Sequence, residues 1–411
     1  MRKVLGRSSQ KPIVLYFCIF LLFLDSMGFW IGWNDRKAYI DLFLGIVIFF
    51  QMQSHKIGFS VSIRNLLLIS FLLVSHIVLS RSLSYGYVLG TFFPAIMILL
   101  LDDNHRACCL QYIFKWFAYL MIPSIIVYLL VELVGLPSLG QLTVFSESEE
   151  HYGMNSHYLI RDNYLFFTPF TRDRDWERFC GPFVEPGHLG MMLAFLLFST
   201  GFQIKKNETK INLVALLLTM SLAGYLLTFL GYLFIKYERK DISLIKTMSI
   251  CFVLLSIYLT AIYYKDGNNL LNEKVVSRLE YDEENIIVGN NRVHGEINLY
   301  LARMYTDTKL LLTGYDDKTI TYLYMTGSTG TGIKMWMIKY GLIGILMAMM
   351  FYLVELYYCK NRRYVWLAFV FVLLMFVQRS YPFWFSWIIC YTYGLSLHDR
   401  KEIVGYKRLL K

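Results

Sequence analysis

The sequence predicts an all-α integral membrane protein, and three observations carry that expectation. The 411 residues are 56% hydrophobic and only 17% charged. Mean hydropathy is +0.46. The apolar residues also come in long runs rather than amphipathic stripes or short alternating segments, which points to spanning helices and away from a closed β-barrel.

Taken from the N-terminus, the basic stretch MRKVLGRSSQK precedes an apolar run that continues to about Trp33. No small-residue cleavage site follows it, so the run is expected to remain as the first membrane helix rather than to act as a signal peptide. Candidate spans then lie at roughly 12–33, 38–53, 65–80, 84–101, 112–136, 187–204, 211–236, 243–264, 332–358, 364–378 and 381–397. The short basic connections at Lys56/Arg64, Arg106, Lys205/Lys206/Lys210 and Lys360/Arg362/Arg363 belong on the cytoplasmic side. The N-terminus and the tail from Arg400 belong there too.

Eleven stretches cannot place both termini on one side. The run 211–236 is interrupted near its middle by Ser221 and Gly224, and is read as two short crossings joined at SLAG, which brings the total to twelve. Each half would span roughly 20 to 25 Å at 1.5 Å per residue. A single long tilted helix is the competing reading. Irregular backbone at that depth is tolerated only where protein or a water-filled cavity surrounds it, so SLAG is expected to line a cavity.

This topology puts two long polar segments outside, at about 137–186 and 265–331, within one polytopic domain spanning 1–411. They are too long to be connectors and carry tyrosines and apolar residues, so folded external caps are expected. The net charge of +10 sits in the short connections between apolar runs and is a topology signal, which argues against a nucleic-acid partner. The seven cysteines show neither CxxC nor Cys/His spacing, so no metal site or disulfide framework is expected. Neither GxxxxGK[ST] nor a post-strand GxGxxG occurs, and no nucleotide cofactor is expected.

The chemistry is expected in the two external segments. The first ends in TRDRDWERFCGPFVEPGHLG, with Arg172, Arg174 and Arg178 ahead of Glu185 and His188 at a helix start marked by Pro186. Free NH groups and the helix dipole make such a terminus an anion site, and arginine pairs bidentately with phosphate oxygens. The plain alternative is that Glu185 complements the dipole and Arg178 pairs with it or with Asp175.

In the second segment, Val293, Ile297, Tyr300, Leu301 and Met304 fall at helical spacing, with Arg292, Glu296 and Arg303 on the adjoining face. An amphipathic helix is expected, docked on the membrane helices or lying at the interface. His294 reads either as a general base or as an exposed turn residue. Ser328 reads as a sugar- or phosphate-binding hydroxyl or as part of the cap of the helix starting near Ile333.

In the order of these parts the chain resembles the O-antigen polymerase family (Wzy type) of the O-antigen polymerase and ligase superfamily. The resemblance rests on Arg178–x2–Gly181–x–Phe183–x–Glu185–Pro186, the break Thr219–Met–Ser221–Leu–Ala–Gly224, Arg292 opening a segment that ends at Gly314, and Tyr340–Gly341–Leu342–Ile343–Gly344. An arginine followed by ten residues and a glycine also occurs twice, at Arg278–Gly289 and Arg303–Gly314.

The resemblance implies a lipid-dependent glycosyltransferase architecture (GT-C-like) in the bacterial cytoplasmic membrane, without a metal or other cofactor. The implied reaction transfers a glycan from undecaprenyl diphosphate to a sugar hydroxyl of another lipid-linked repeat unit at the external face. Its implied partners are that lipid-linked oligosaccharide, membrane lipid and a chain-length regulator. Arg178 and Arg292 would hold the diphosphate, Glu185 would orient Arg178 or accept a proton, and Ser221 would line the site.

Ligases of the superfamily usually carry a histidine before the helix that follows the second external segment, where this chain has Gly327–Ser328–Thr329–Gly330. That places polymerase ahead of ligase. A lipid-linked oligosaccharide flippase or other transporter is the rival outside enzymology. The charges within or near the ends of spans, Asp25, Asp41 and Glu132, are few, no halves repeat, and the polar mass lies outside.

Overall fold

A computed structural model describes residues 12–33, 36–57, 59–79, 88–145, 158–169, 177–241, 281–282, 286–287, 296–325, 332–379 and 381–409, with a few isolated positions between 256 and 272. Most of the described chain is helical. The helices are α1 (Ile13–Ser26), α2 (Arg36–Ser54), α3 (Ile63–Leu79), α4 (Phe93–Leu100) and α5 (Asp103–Val134), then α6 (Pro186–Thr200), α7 (Asn207–Leu218) and α8 (Leu222–Glu238). After these come α9 (Ile297–Thr306), α10 (Thr308–Thr313), α11 (Asp317–Met325), α12 (Ile333–Tyr358), α13 (Arg362–Gln378) and α14 (Phe385–Leu409).

Two short antiparallel pairs depart from the all-α expectation. Gln141–Phe145 pairs with Tyr158–Asp162 in the first external segment, and Tyr281–Asp282 pairs with Ile286–Ile287 in the second. The span expected at 243–264 lies largely outside the described residues.

Among the described residues two helices, α5 and α12, are long and apolar enough to cross a membrane. In α5 only 28% of the most apolar window is covered by the rest of the protein, whereas the core helix of a soluble protein would be mostly covered. Elsewhere Phe17, Phe43, Phe50, Val74, Ile126, Leu133, Leu346 and Trp366 are likewise exposed along their helices. Helix α12 is not one straight rod. Gly341 takes φ +62° and ψ −164°, and the backbone carbonyl of Leu312 fills the space where a Cβ would stand, so the end of α10 packs into the break.

The centre of the bundle is α6, whose residues Leu189 to Thr200 are all buried. A helix apolar on every side belongs in a core. Gly190 lets α8 approach closely, since a Cβ there would stand 2.7 Å from the Ser221 Cβ.

Helices α7 and α8 form a hairpin. Its turn, with Met220 at φ +46°, lies beside Gly190 near the start of α6, whereas Arg239 just past α8 donates to the Gly201 carbonyl at the far end of α6, 2.6 Å away.

Contacts also show which ends of the helices lie together. Arg64 meets Asp103 and Glu355 at 2.9 Å, Ser396 donates to Asp103 at 2.7 Å, and Asn361 donates to Glu238 at 2.8 Å. The basic connections around Arg64, Arg106, Lys205, Arg239 and Arg362 therefore gather at one end of the bundle. At the opposite end lie the end of α1, the starts of α2, α6 and α14, and the α7–α8 turn. There Ser386 donates its backbone N–H to Ser26 Oγ at 2.9 Å.

Candidate functional site

Glu185 occupies the N-cap position of α6 in extended conformation, with Pro186 at the first helical position, as the sequence pattern predicts. Its carboxylate makes no capping bond. It pairs instead with Arg379, which follows the last turn of α13 and is nearly buried. His188, one turn into α6, brings Nε2 to 3.6 Å from the same carboxylate. The His188 ring stands edge-on to Tyr381 and Trp384, with centroids at 5.5 and 5.2 Å, and these two rings stack on each other at 4.1 Å.

Tyr381 to Phe385 form a wall shared with a cavity of about 240 Å³. Its other walls are Ser26 from α1, Lys37 and Asp41 from α2, His76 and Leu79 from α3, Thr91, and Trp336 and Tyr340 from α12. It opens at the end opposite the basic connections. Lys37 and Asp41 stand four residues apart and so share one face of α2.

Lys37 Nζ reaches Asp25 Oδ2 at 3.2 Å and the Asp25 carbonyl at 3.1 Å. The Asp25 carboxylate fits only because residue 32 is glycine, since a Cβ there would stand 1.6 Å from Oδ1. Asp25 and Asp41 are 5% and 2% exposed, and their carboxyl groups lie within hydrogen-bonding reach of each other. The cavity thus joins carboxylates, an ammonium group and aromatic faces, which are the groups that bind sugar hydroxyls, anions and pyranose rings.

The other expected residues fall as follows. Arg178 donates from Nε to the Thr219 carbonyl at 2.9 Å, and Phe179 donates its backbone N–H to the Leu218 carbonyl at 3.2 Å. The segment before Glu185 is therefore sewn to the α7–α8 turn. Ser221 is not among the residues lining this cavity. It is 4% exposed, packs on Gly190 and accepts from the Gly224 N–H at 3.2 Å as the cap of α8.

Arg303 is exposed on α9 with its guanidinium 5.4 Å from the Tyr300 ring centroid. The apolar face of α9, Ile297, Leu301 and Met304, packs with Met335 and Ile338 of α12, the helix whose Trp336 and Tyr340 line the cavity. The amphipathic segment thus docks on the cavity wall. Arg172, Arg174, Arg292, His294 and Ser328 lie outside the described residues.

Sequence reasoning missed Arg379, Lys37, His76, Tyr381, Trp384 and Trp336, and treated Asp25 and Asp41 as isolated. One signal was available: a lysine and an aspartate four apart at the start of an apolar run, facing an aspartate at the end of the preceding one. Among the described residues no three His, Cys, Asp or Glu side chains come together as metal ligands.

The fold and this site define a helical protein with a polar, aromatic-walled cavity at the end opposite its basic connections. Comparison with protein families, with curated proteins and with solved structures finds no match for this chain.

Proposed function

We propose that this chain is a polytopic inner-membrane glycosyltransferase of the O-antigen polymerase type, with about twelve crossings and a GT-C-like architecture. It transfers a glycan from undecaprenyl diphosphate to a sugar hydroxyl of another lipid-linked repeat unit. The observation that carries this reading is the cavity of about 240 Å³ opposite the basic connections, because the positive-inside rule assigns those connections to the cytoplasm and so turns the cavity outward. Lipid-carried, already activated donors are the substrates at that face.

Arginines suit the developing charge of a diphosphate leaving group. Arg178 and Arg292 keep the diphosphate-binding role that the resemblance implies. Arg379, held by Glu185 and two residues before Tyr381 of the cavity wall, joins them as a third cation.

A flippase is the second reading, favoured by the Asp25–Lys37–Asp41 group inside the spans. Deleting the gene and separating the surface polysaccharide by electrophoresis decides between them. A polymerase is expected to leave single repeat units attached while long chains vanish. Loss of all attached glycan, single units included, overturns the polymerase in favour of a flippase or ligase.

A further inference from the structure

We infer that Asp41 is the general base of the proposed transfer and that Asp25 is its positioning partner, the two carboxyl groups holding one proton between them beside Lys37. The inference rests on the transfer reading above but on different observations. Asp41 is 2% exposed and lines the cavity, and its Oδ1 has no hydrogen-bond partner among the described residues. Asp25 Oδ2 lies 3.2 Å from the Lys37 ammonium. A buried acceptor without a donor is costly, and two ionised carboxylates in reach of each other repel.

One shared proton removes both difficulties. It supplies the missing hydrogen bond, and it leaves a single negative charge opposite the Lys37 ammonium. Among the described residues, the other groups near this pair do not supply that charge balance. His76 packs edge-on to Phe92 at 4.7 Å, Tyr340 and Tyr381 are phenols, and Arg379 is already paired with Glu185.

What remains is the second oxygen of Asp41, on a side chain that lines a cavity of a size for one sugar, walled by Trp336, Trp384 and Tyr381. In the transfer, the other oxygen of the Asp41 carboxyl, Oδ2, takes the proton of the acceptor hydroxyl as that hydroxyl oxygen bonds to the anomeric carbon of the donor, while the shared proton passes from Asp41 Oδ1 to Asp25. The bond from that carbon to the phosphate oxygen breaks, and its electron pair leaves with the diphosphate. The carboxyl pair then carries two protons and returns one to the outer solution past the half-exposed Lys37.

The test uses the full-length protein in lipid nanodiscs with an undecaprenyl-diphosphate-linked repeat unit from the cells that carry the gene. Asp41→Asn is expected to lower kcat by about 100-fold or more with KM little changed, the usual range for loss of a general base. Asp25→Asn is expected to keep measurable turnover but to reduce two coupled steps in the pH profile to one. Infrared spectra give a readout independent of turnover: a protonated-carboxyl band at neutral pH in the unaltered protein, absent from either variant.

Asp41→Asn turning over at the normal rate, or no such band in the unaltered protein, overturns the inference. Absence of chain extension by the unaltered protein with the band present overturns the transfer reading, and the base assignment with it.

Discussion

The Glu185–Arg379 pair carries the sharpest stability consequence of the structure. It joins the start of α6 to the end of α13 across 194 residues, with side-chain exposures of 21% for Glu185 and 7% for Arg379. Removing one partner of a buried pair costs about 3–5 kcal/mol, because the other charge is left without compensation. Glu185→Ala strips the carboxylate from the more buried member, so about 3 kcal/mol is expected, the low end reflecting the partial exposure of Glu185.

Arg379→Met keeps the apolar stem and leaves Glu185 facing His188, so about 2 kcal/mol is expected. With both charges gone no uncompensated group remains, and the double variant is expected to cost no more than either single change. The coupling energy then comes to about 3 kcal/mol or more. Unfolding in mixed detergent micelles, followed by tryptophan fluorescence for all four proteins, measures it. Strictly additive single effects would refute the claim that this pair, rather than capping of α6, is what Glu185 does.

Three further outcomes follow from local geometry. Gly341→Ala places a Cβ 2.3 Å from the Leu312 carbonyl at a φ of +62°, so it is expected to destabilise the α10–α12 contact and to expose residues 296–325 to protease in membranes before the rest of the chain. Single cysteines at Asn207 and Glu238 are expected to react with a membrane-impermeant thiol reagent from the same side and one at Thr91 from the other; opposite sidedness for the first two would exclude the hairpin. Glu238 is pushed up by burial, but the hydrogen bonds and charges of His398, Asn361 and Arg239 outweigh this and hold its carboxyl below the usual range. Its contribution to stability is therefore present above the ordinary glutamate range and lost as pH falls through the lowered value, so Glu238→Gln should flatten the acid limb of a melting-temperature profile.

The helices were legible where apolar runs were uninterrupted: α2, α3 and α13 begin and end within about two residues of the spans expected from hydropathy, and α6 begins where expected but ends four residues early. The start of α5 was not, since Asp102 caps it and the polar residues Asn104 to Arg106 form its first turn, where hydropathy sees only a connection. The turn near Ser221 was legible because a serine and a glycine interrupt an apolar run, but the use of that serine as a cap was not. Glu185 and His188 were legible as a polar helix start. Their partners were not, because Arg379 and Tyr381 lie more than 190 residues away and only packing brings them together. Lys37 and Asp41 read as the polar edge of a span until the fold set Asp25 against them.

The two ends of the bundle use the same residue types with different charge balance, and that difference separates structure from chemistry. At the basic end Arg64 and Arg106 face Asp103 and Glu355, two cations against two anions, with Arg64 at 2.9 Å from both acids and Arg106 donating to Asn65 at 2.9 Å. Glu355 and Arg106 are fully buried there, and the network ties α3, α5 and α12 together. At the cavity, two carboxyl groups face one lysine.

A balanced network needs no further proton, whereas the unbalanced one does. Glu355→Gln is therefore expected to lower stability by about 3 kcal/mol by leaving Arg64 short of a carboxylate, while the pH profile of chain extension keeps its shape. Asp25→Asn is expected to do the reverse, costing little stability and changing the profile. If Glu355→Gln alters the profile as Asp25→Asn does, the titration belongs to the bundle as a whole rather than to the cavity.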